Sequence, residues 1–181
     1  MKKYISSIII LIVANLAYGQ TEPNYAAPGG GGSTNCNCTL PSNSGCNADC
    51  LFSSCCVCWN PNTQTGACGC YWGVATCRNA SNVGSSTMNS SNFGELNPDA
   101  HIKFSFEKFN LLFDFFKSKD INTETLKTRF NNIKSNYVAT TEKVAIANSD
   151  FALILNEYSK LINLLNLKQK EDLNIYINSL K

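Results

Sequence analysis

All ten cysteines of this 181-residue chain lie between Cys36 and Cys77, and this cluster constrains the fold more than any other feature. Such a density is typical of a disulfide scaffold or a metal-thiolate cluster. The segment has few large aliphatic side chains, so cross-links must replace a core that it cannot build. Each native bridge typically contributes ~2–4 kcal/mol to stability. The cysteines are Cys36, Cys38, Cys46, Cys50, Cys55, Cys56, Cys58, Cys68, Cys70 and Cys77.

A metal-thiolate cluster is the rival interpretation, because Cys-x-Cys and Cys-Cys spacings also suit Cu(I) or Zn(II). No lysine lies between Cys36 and Cys77 to offset the charge of thiolates. The two Cys-x-x-Cys pairs typical of zinc sites are missing. A thiolate cluster also does not require aromatic side chains, and the segment contains Phe52, Trp59, Tyr71 and Trp72. We therefore predict disulfides throughout the segment, with no metal site and no cofactor.

The spacing of the cysteines also predicts a short β-hairpin. In an extended strand, the two cysteines of a Cys-x-Cys pair point to the same face. Cys56 with Cys58, and Cys68 with Cys70, are therefore expected to form facing rows around a turn at residues 60–66. Adjacent cysteines bridge only with strain, so the bridges should cross between clusters. The pairing itself stays open.

The first 19 residues are typical of a secretory signal peptide. Lys2 and Lys3 precede the apolar run Ile8–Val13, and Ala17–Gly19 carries small residues at the positions that a signal peptidase reads. The apolar run is far shorter than the ~20 residues that span a bilayer. We expect cleavage before Gln20 and a secreted or periplasmic protein, in a compartment where thiols oxidise.

Changes in composition divide the rest of the chain. Residues 20–35 form a Gly/Pro linker, 36–78 the cysteine-rich disulfide module, 79–97 an Asn/Ser linker, and 98–181 a segment without cysteine or glycine that is rich in charge. We expect two units joined by a loose connection.

Apolar residues in the last segment recur at spacings of three and four, which predicts an all-α bundle of three or four helices. Asn97 and Pro98 suit an N-cap and a first turn, and residues 170–180 form a fourth helix or an extension. The three stripes are Ile102, Phe106, Phe109, Phe113 and Phe116; Leu126, Phe130, Ile133 and Tyr137; and Val144, Ala147, Phe151, Ile154, Tyr158, Leu161 and Leu165.

The sequence does not indicate an enzyme. Its one histidine, His101, lies beside the expected N-cap, where a surface or capping role fits best. No phosphate-binding glycine loop, metalloprotease motif or nucleophile elbow occurs, and no small-molecule substrate is evident. The formal charge of +2 matches the two lysines of the leader, so the mature chain is neutral and nucleic acid is not expected as a partner.

The ends of the cysteine cluster resemble a known frame. Asn35–Cys38 at the start, and Gly66–Trp72 with Cys77 and Asn79 at the end, are similar to the cysteine pattern of fulvocin C and its relatives, a family of small disulfide-rich bacteriocins. The resemblance covers residues 35–79. It implies antibacterial action at a target membrane.

Three aromatic residues of the cysteine module, Trp59, Tyr71 and Trp72, are the candidate binding residues. Exposed, they would suit a membrane interface or a sugar ring; buried, they would cover the disulfides. We predict a secreted bacteriocin-like module that acts at a target membrane or cell surface, with a helical carrier or docking domain. The alternative is a non-toxic secreted binding or structural protein that recognises an envelope glycan or a protein partner.

Overall fold

A computed structural model of the chain describes residues 44–59, 66–79, 93, 96–138 and 142–181. The expected leader, the 20–35 linker, Cys36, Cys38 and most of the 79–97 segment lie outside the described residues. The strands are β1 (Ser44–Asp49), β2 (Ser53–Trp59), β3 (Gly66–Tyr71), β4 (Val74–Asn79), β5 (His101–Phe104) and β6 (Val144–Ile146). The helices are α1 (Phe106–Asn110), α2 (Leu112–Ser118), α3 (Glu124–Lys134), α4 (Asn148–Leu164) and α5 (Leu167–Ser179).

The predicted fold class is confirmed: a cysteine-rich β-hairpin region with disulfide bonds precedes a helical C-terminal region. α1 and α2 follow each other with one intervening residue, Leu111, so the described part of the C-terminal region has four helical stretches. No helix among the described residues combines the length and apolar character that a membrane crossing requires.

The strands of the described residues form two antiparallel sheets, and the predicted hairpin is wrong in its partners. β2, with Cys56 and Cys58, pairs with β1; β3, with Cys68 and Cys70, pairs with β4. The two Cys-x-Cys pairs therefore lie in different sheets. The cysteine spacing did not predict β1 and β4. In sequence, β1 is nearer to β2, and β4 is nearer to β3, than β2 and β3 are to each other. The expected turn residues 60–65 lie outside the described residues.

The larger sheet joins the two segments that the sequence suggested as separate units. Its strand order is β1-β2-β5-β6, so it takes two strands from each segment. On β2, Ser53 lies opposite Phe104 of β5, and Cys55 lies opposite Ile102. The cysteine-rich strands and the C-terminal segment also share one cluster of buried residues.

Two predicted helix starts are strands instead. Ile102 belongs to β5, and the first helix begins after Ser105, whose side chain accepts a hydrogen bond from the backbone N–H of Lys108 at 3.3 Å. Val144 belongs to β6, and α4 begins only at Asn148. In both places the chain passes through a short strand before it enters the helix.

Aromatic rings connect the sheet to the helices. Phe104, fully buried on β5, lies 5.0–5.7 Å between ring centroids from Phe106, Phe109 and Phe151. Phe52, in the β1–β2 connection, meets Phe109 edge-on at 5.5 Å. The cysteine-rich strands thus pack directly on the helical region.

The β3–β4 turn is fixed by a glycine. Trp72 and Gly73 both have positive φ angles, 48° and 78°, as a two-residue type I′ turn requires. A Cβ atom on Gly73 would lie 2.5 Å from Cε2 of Phe52, a separation that real Cβ atoms essentially never show. The backbone N–H of Phe52 donates to the carbonyl of Gly73 at 2.8 Å. Only glycine allows both the turn and this close approach.

Candidate functional site

Among the described residues, three disulfides with both partners described hold the two sheets face to face. They join Cys46 to Cys68, Cys50 to Cys70 and Cys55 to Cys77, with Cα–Cα distances of 5.7, 5.7 and 6.0 Å. Each crosses from the first hairpin to the second, so the prediction that bridges cross between clusters is confirmed for these six cysteines. Cys56 and Cys58 are also disulfide-bonded, and no described cysteine is free. The bridges indicate an extracellular or otherwise oxidising compartment.

Two of the bridges lie in contact. The Sγ atom of Cys68 is 2.9 Å from that of Cys77, its cross-strand neighbour, although each is bonded to a different cysteine. The Sγ atoms of Cys46, Cys68 and Cys77 lie within 4.8 Å of one another, a spacing that also suits a metal ion. In the oxidised chain these sulfurs are bonded in pairs, so they are not the thiolates that a soft metal needs.

Mass spectrometry distinguishes the two states of the cysteines. We expect the intact mass of the protein to rise by ten hydrogens on reduction, because all ten cysteines of the sequence should be paired. A thiol-alkylating reagent should leave the unreduced protein unmodified. Alkylation of several thiols in untreated protein, together with stoichiometric zinc or copper, would contradict the disulfide scaffold.

Of the two alternatives for the candidate aromatic residues, exposure and burial, the structure shows burial for Tyr71 and Trp72. Tyr71 and Trp72 are only 6% and 8% exposed, and both belong to the core. The guanidinium of Arg78 lies over the Tyr71 ring, 5.5 Å from its centroid. Tyr71 ends β3, and Trp72 begins the tight turn that leads into β4. The side chain of Trp59 lies outside what the structure describes.

The Trp72 backbone is also fixed from the helical side. The hydroxyl of Tyr158, on α4, donates to the Trp72 carbonyl at 3.0 Å. Complete burial raises the pKa of Tyr158 well above its usual value, so the hydroxyl keeps its proton and remains a donor. This hydrogen bond links the β3–β4 turn to α4.

A groove of about 670 Å³ lies across the outer face of the four-stranded sheet. Side chains alternate along a strand, so the apolar residues of β5, Ile102 and Phe104, face the core while its polar residues face the groove. Among the residues that line it are Asn47, Asp49, Ser54, His101, Lys103 and Ala145.

Among the described residues that line the groove, one cation, Lys103, has no hydrogen-bond or ion-pair partner. Asp49, its only lining acid among the described residues, forms an ion pair with Lys143. Lys143 also donates to the backbone carbonyl of Cys50 at 2.6 Å, which fixes that pair at the rim. Within the described part of the chain, the side chains of Lys103, His101 and Ser54 make no hydrogen bond or ion pair.

The sequence interpretation anticipated His101 as a surface residue but missed Lys103 and Ser54. A signal was present: His101–Phe104 alternates polar and apolar residues, which is a strand pattern. This alternation overlaps the helical stripe that begins at Ile102, so the segment was assigned to a helix. Lys103 lies opposite Ser54 on β2 and opposite Ala145 on β6, so the site exists only once these distant segments pair.

In comparisons with protein-family models, curated proteins and solved structures, no family, protein or structure matches this chain. The bacteriocin-like frame at residues 35–79 therefore stays a prediction. What the protein does must be inferred from the groove, the bridges and the exposed surface of the chain itself.

Proposed function

We propose that the protein is a secreted, disulfide-stabilised binding protein that recognises a partner on the cell envelope and does not permeabilise membranes. The observation that carries this proposal is the burial of Tyr71 and Trp72. A membrane-inserting aromatic surface needs these rings outside, where tryptophan and tyrosine settle at a bilayer interface. Buried, they stabilise the fold.

The connection between the two segments supports the same proposal. A bacteriocin-like module with a separate carrier would need to be released from that carrier. Here β2 of the cysteine-rich segment hydrogen-bonds to β5, and Phe52 packs on Phe109 of α1. Separation would expose a sheet edge and break the shared core, which is costly. The cysteine-rich segment therefore acts as part of the whole chain.

A rigid, cross-linked sheet with an open polar groove suits recognition. Binding residues are held more accurately on regular elements than on loops, and most groove residues of this protein lie on β1, β2, β5 and β6. The leader typical of secretion and the bridges agree with action outside the cytoplasm.

The second candidate function is the bacteriocin-like one, with the helical region as carrier or docking domain. One observation favours it: Leu164 and Leu167, each 67% exposed, lie on either side of the α4–α5 turn. Ile175, 68% exposed, lies on α5. Exposed apolar side chains of this kind mark interaction surfaces, membranes included.

A comparison of envelope binding with membrane damage tests the proposal. We expect the oxidised full-length protein to co-sediment saturably with isolated bacterial envelopes. We expect it to release no dye from vesicles of mixed anionic and zwitterionic phospholipid and to kill no related bacteria. A Leu164→Ser, Leu167→Ser double variant should bind envelopes as well as the parent does, because these residues lie outside the groove.

Val138→Ser is the matched control, since it removes an apolar side chain that is 80% exposed elsewhere on the surface. Dye release or killing that the double variant loses and the control retains would establish the bacteriocin-like function instead. Failure to bind any envelope preparation would overturn the binding proposal.

A further inference from the structure

We propose that the groove on the outer face of the β1-β2-β5-β6 sheet binds an acidic glycan, a chain of sugars that bears carboxylates, and that Lys103 pairs with one of those carboxylates. This inference rests on the proposed envelope-binding function and names the chemistry of its ligand.

The strand register assembles the groove side chains into two rows. One row crosses the sheet through Asn47, Cys56 and His101. The next contains Asp49, Ser54, Lys103 and Ala145. Directly opposed side chains have Cβ atoms ~4.5–5.5 Å apart, so Ser54 and Lys103 can contact one ligand group together. His101 and Lys103, two residues apart on β5, present adjacent donors on the same face.

The charge of the groove favours an anion. Asp49 is offset by Lys143, which leaves the ammonium group of Lys103 as the uncompensated charge among the described lining residues. An ammonium–carboxylate contact is a charge-assisted hydrogen bond and is stronger than a contact between neutral groups. The hydroxyl of Ser54 and the imidazole of His101 can bind the hydroxyl groups beside such a carboxylate.

The floor of the groove argues against a peptide. Extended peptides bind by adding a strand to a free sheet edge, or by placing apolar side chains in pockets. β2 and β5 are the central strands, each paired on both sides. The apolar residues of the described lining are mostly alanine and cysteine, which offer little contact area to the large apolar side chains of a peptide. A polymer that presents hydroxyl and carboxylate groups fits this floor better.

The lining also predicts discrimination against neutral sugars. Proteins bind neutral sugars largely by stacking them on aromatic rings, and the described lining contains no phenylalanine, tyrosine or tryptophan. Affinity must then come from charge, so we expect it to fall as salt rises. The groove volume of about 670 Å³ is within the usual range for ligand sites.

Isothermal titration calorimetry of the oxidised full-length protein with uronic-acid oligosaccharides tests the proposal. Saturable binding is expected, and methyl esterification of the carboxylates should weaken it about as much as Lys103→Gln does, because both changes remove the same ammonium–carboxylate contact. Lys103→Gln should weaken binding ~10-fold, the factor that corresponds to the loss of one charge-assisted contact. His101→Asn should weaken it less. Lys127→Gln, which removes an exposed lysine from α3, should change affinity less than twofold, by about 0.4 kcal/mol or less.

Each other result overturns the proposal. If the esterified oligosaccharide binds equally well, the ligand is not recognised by its carboxylates. If Lys103→Gln and Lys127→Gln weaken binding equally, the ligand does not bind in the groove. If poly-glutamate binds more tightly than the uronic-acid oligosaccharide, the ligand is an acidic peptide and not a glycan. Far-UV circular dichroism and the intact mass confirm that each variant is folded and oxidised. Envelope binding that persists without uronate binding would leave the proposed function standing; loss of both would overturn both.

Discussion

Replacement of Phe104 with alanine is expected to lower the free energy of unfolding by about 3–5 kcal/mol, the usual range for a buried phenylalanine. The Phe104 side chain is fully buried and lies 5.0 and 5.1 Å from the ring centroids of Phe106 and Phe109. Its strand, β5, pairs with β2 of the cysteine-rich segment. The substitution therefore opens a cavity where the two segments meet.

The chain offers two independent probes of this effect. Both tryptophans, Trp59 and Trp72, belong to the cysteine-rich segment, so fluorescence reports on that segment while far-UV circular dichroism reports mainly on the helices. In urea titrations, both transitions of Phe104→Ala should move to lower concentration together. Coincident transitions are the mark of one cooperative unit.

Ile175→Ala is the control, because its side chain is 68% exposed and should change stability by less than about 0.5 kcal/mol. If Phe104→Ala shifts the helical transition and leaves the fluorescence transition in place, the two segments unfold separately. That result would restore the two loosely joined units that composition suggested.

The features predicted well from sequence were those set by local spacing. Cysteine density predicted disulfides, and the strain of short bridges predicted that they cross between clusters, as Cys46–Cys68 and Cys55–Cys77 do. The third helical stripe was correct over α4, where Phe151, Ile154 and Tyr158 are buried. A 17-residue amphipathic helix carries enough repeats for its period to be recognised.

The features that sequence missed depend on pairing between distant segments. β5 and β6 have four and three residues, too few to distinguish a period of two from the start of a helix. Which strand pairs with β2 is decided by the shared core, since Ile102 and Phe104 are buried only when β5 lies beside β2. Spacing within the cysteine cluster carries no information about a partner that lies beyond it.

The candidate site illustrates the same limit. The sequence left open whether Tyr71 and Trp72 lie on a surface or in a core, because an aromatic side chain suits both places. The Tyr158 hydroxyl and the close approach of Phe52 to Gly73 bury this turn. Lys103 had no distinguishing sequence context, and only the register places it beside Ser54.

Removal of one buried bridge should have an effect of similar size. We expect Cys55→Ala, Cys77→Ala to lower the free energy of unfolding by about 2–5 kcal/mol. Cys55 and Cys77 are 3% and 0% exposed, and their bond ties the central strand β2 to β4. The loss combines a less restricted unfolded chain with the cavity left by two buried sulfurs.

The Cys50–Cys70 bridge provides a matched comparison, because it spans 20 residues where Cys55–Cys77 spans 22. Loop-closure entropy is therefore nearly equal for the two bridges. Cys70 is only partly buried, so Cys50→Ala, Cys70→Ala leaves a smaller cavity and should destabilise less. Urea titration gives the free energy of unfolding of both double variants. The difference between them measures the contribution of packing around the sulfur atoms. If both double variants lose the same free energy of unfolding, the bridges act through the unfolded chain alone. If removal of Cys55–Cys77 lowers the free energy of unfolding by less than about 1 kcal/mol, hydrogen bonds and the aromatic core hold the sheets together without this bridge.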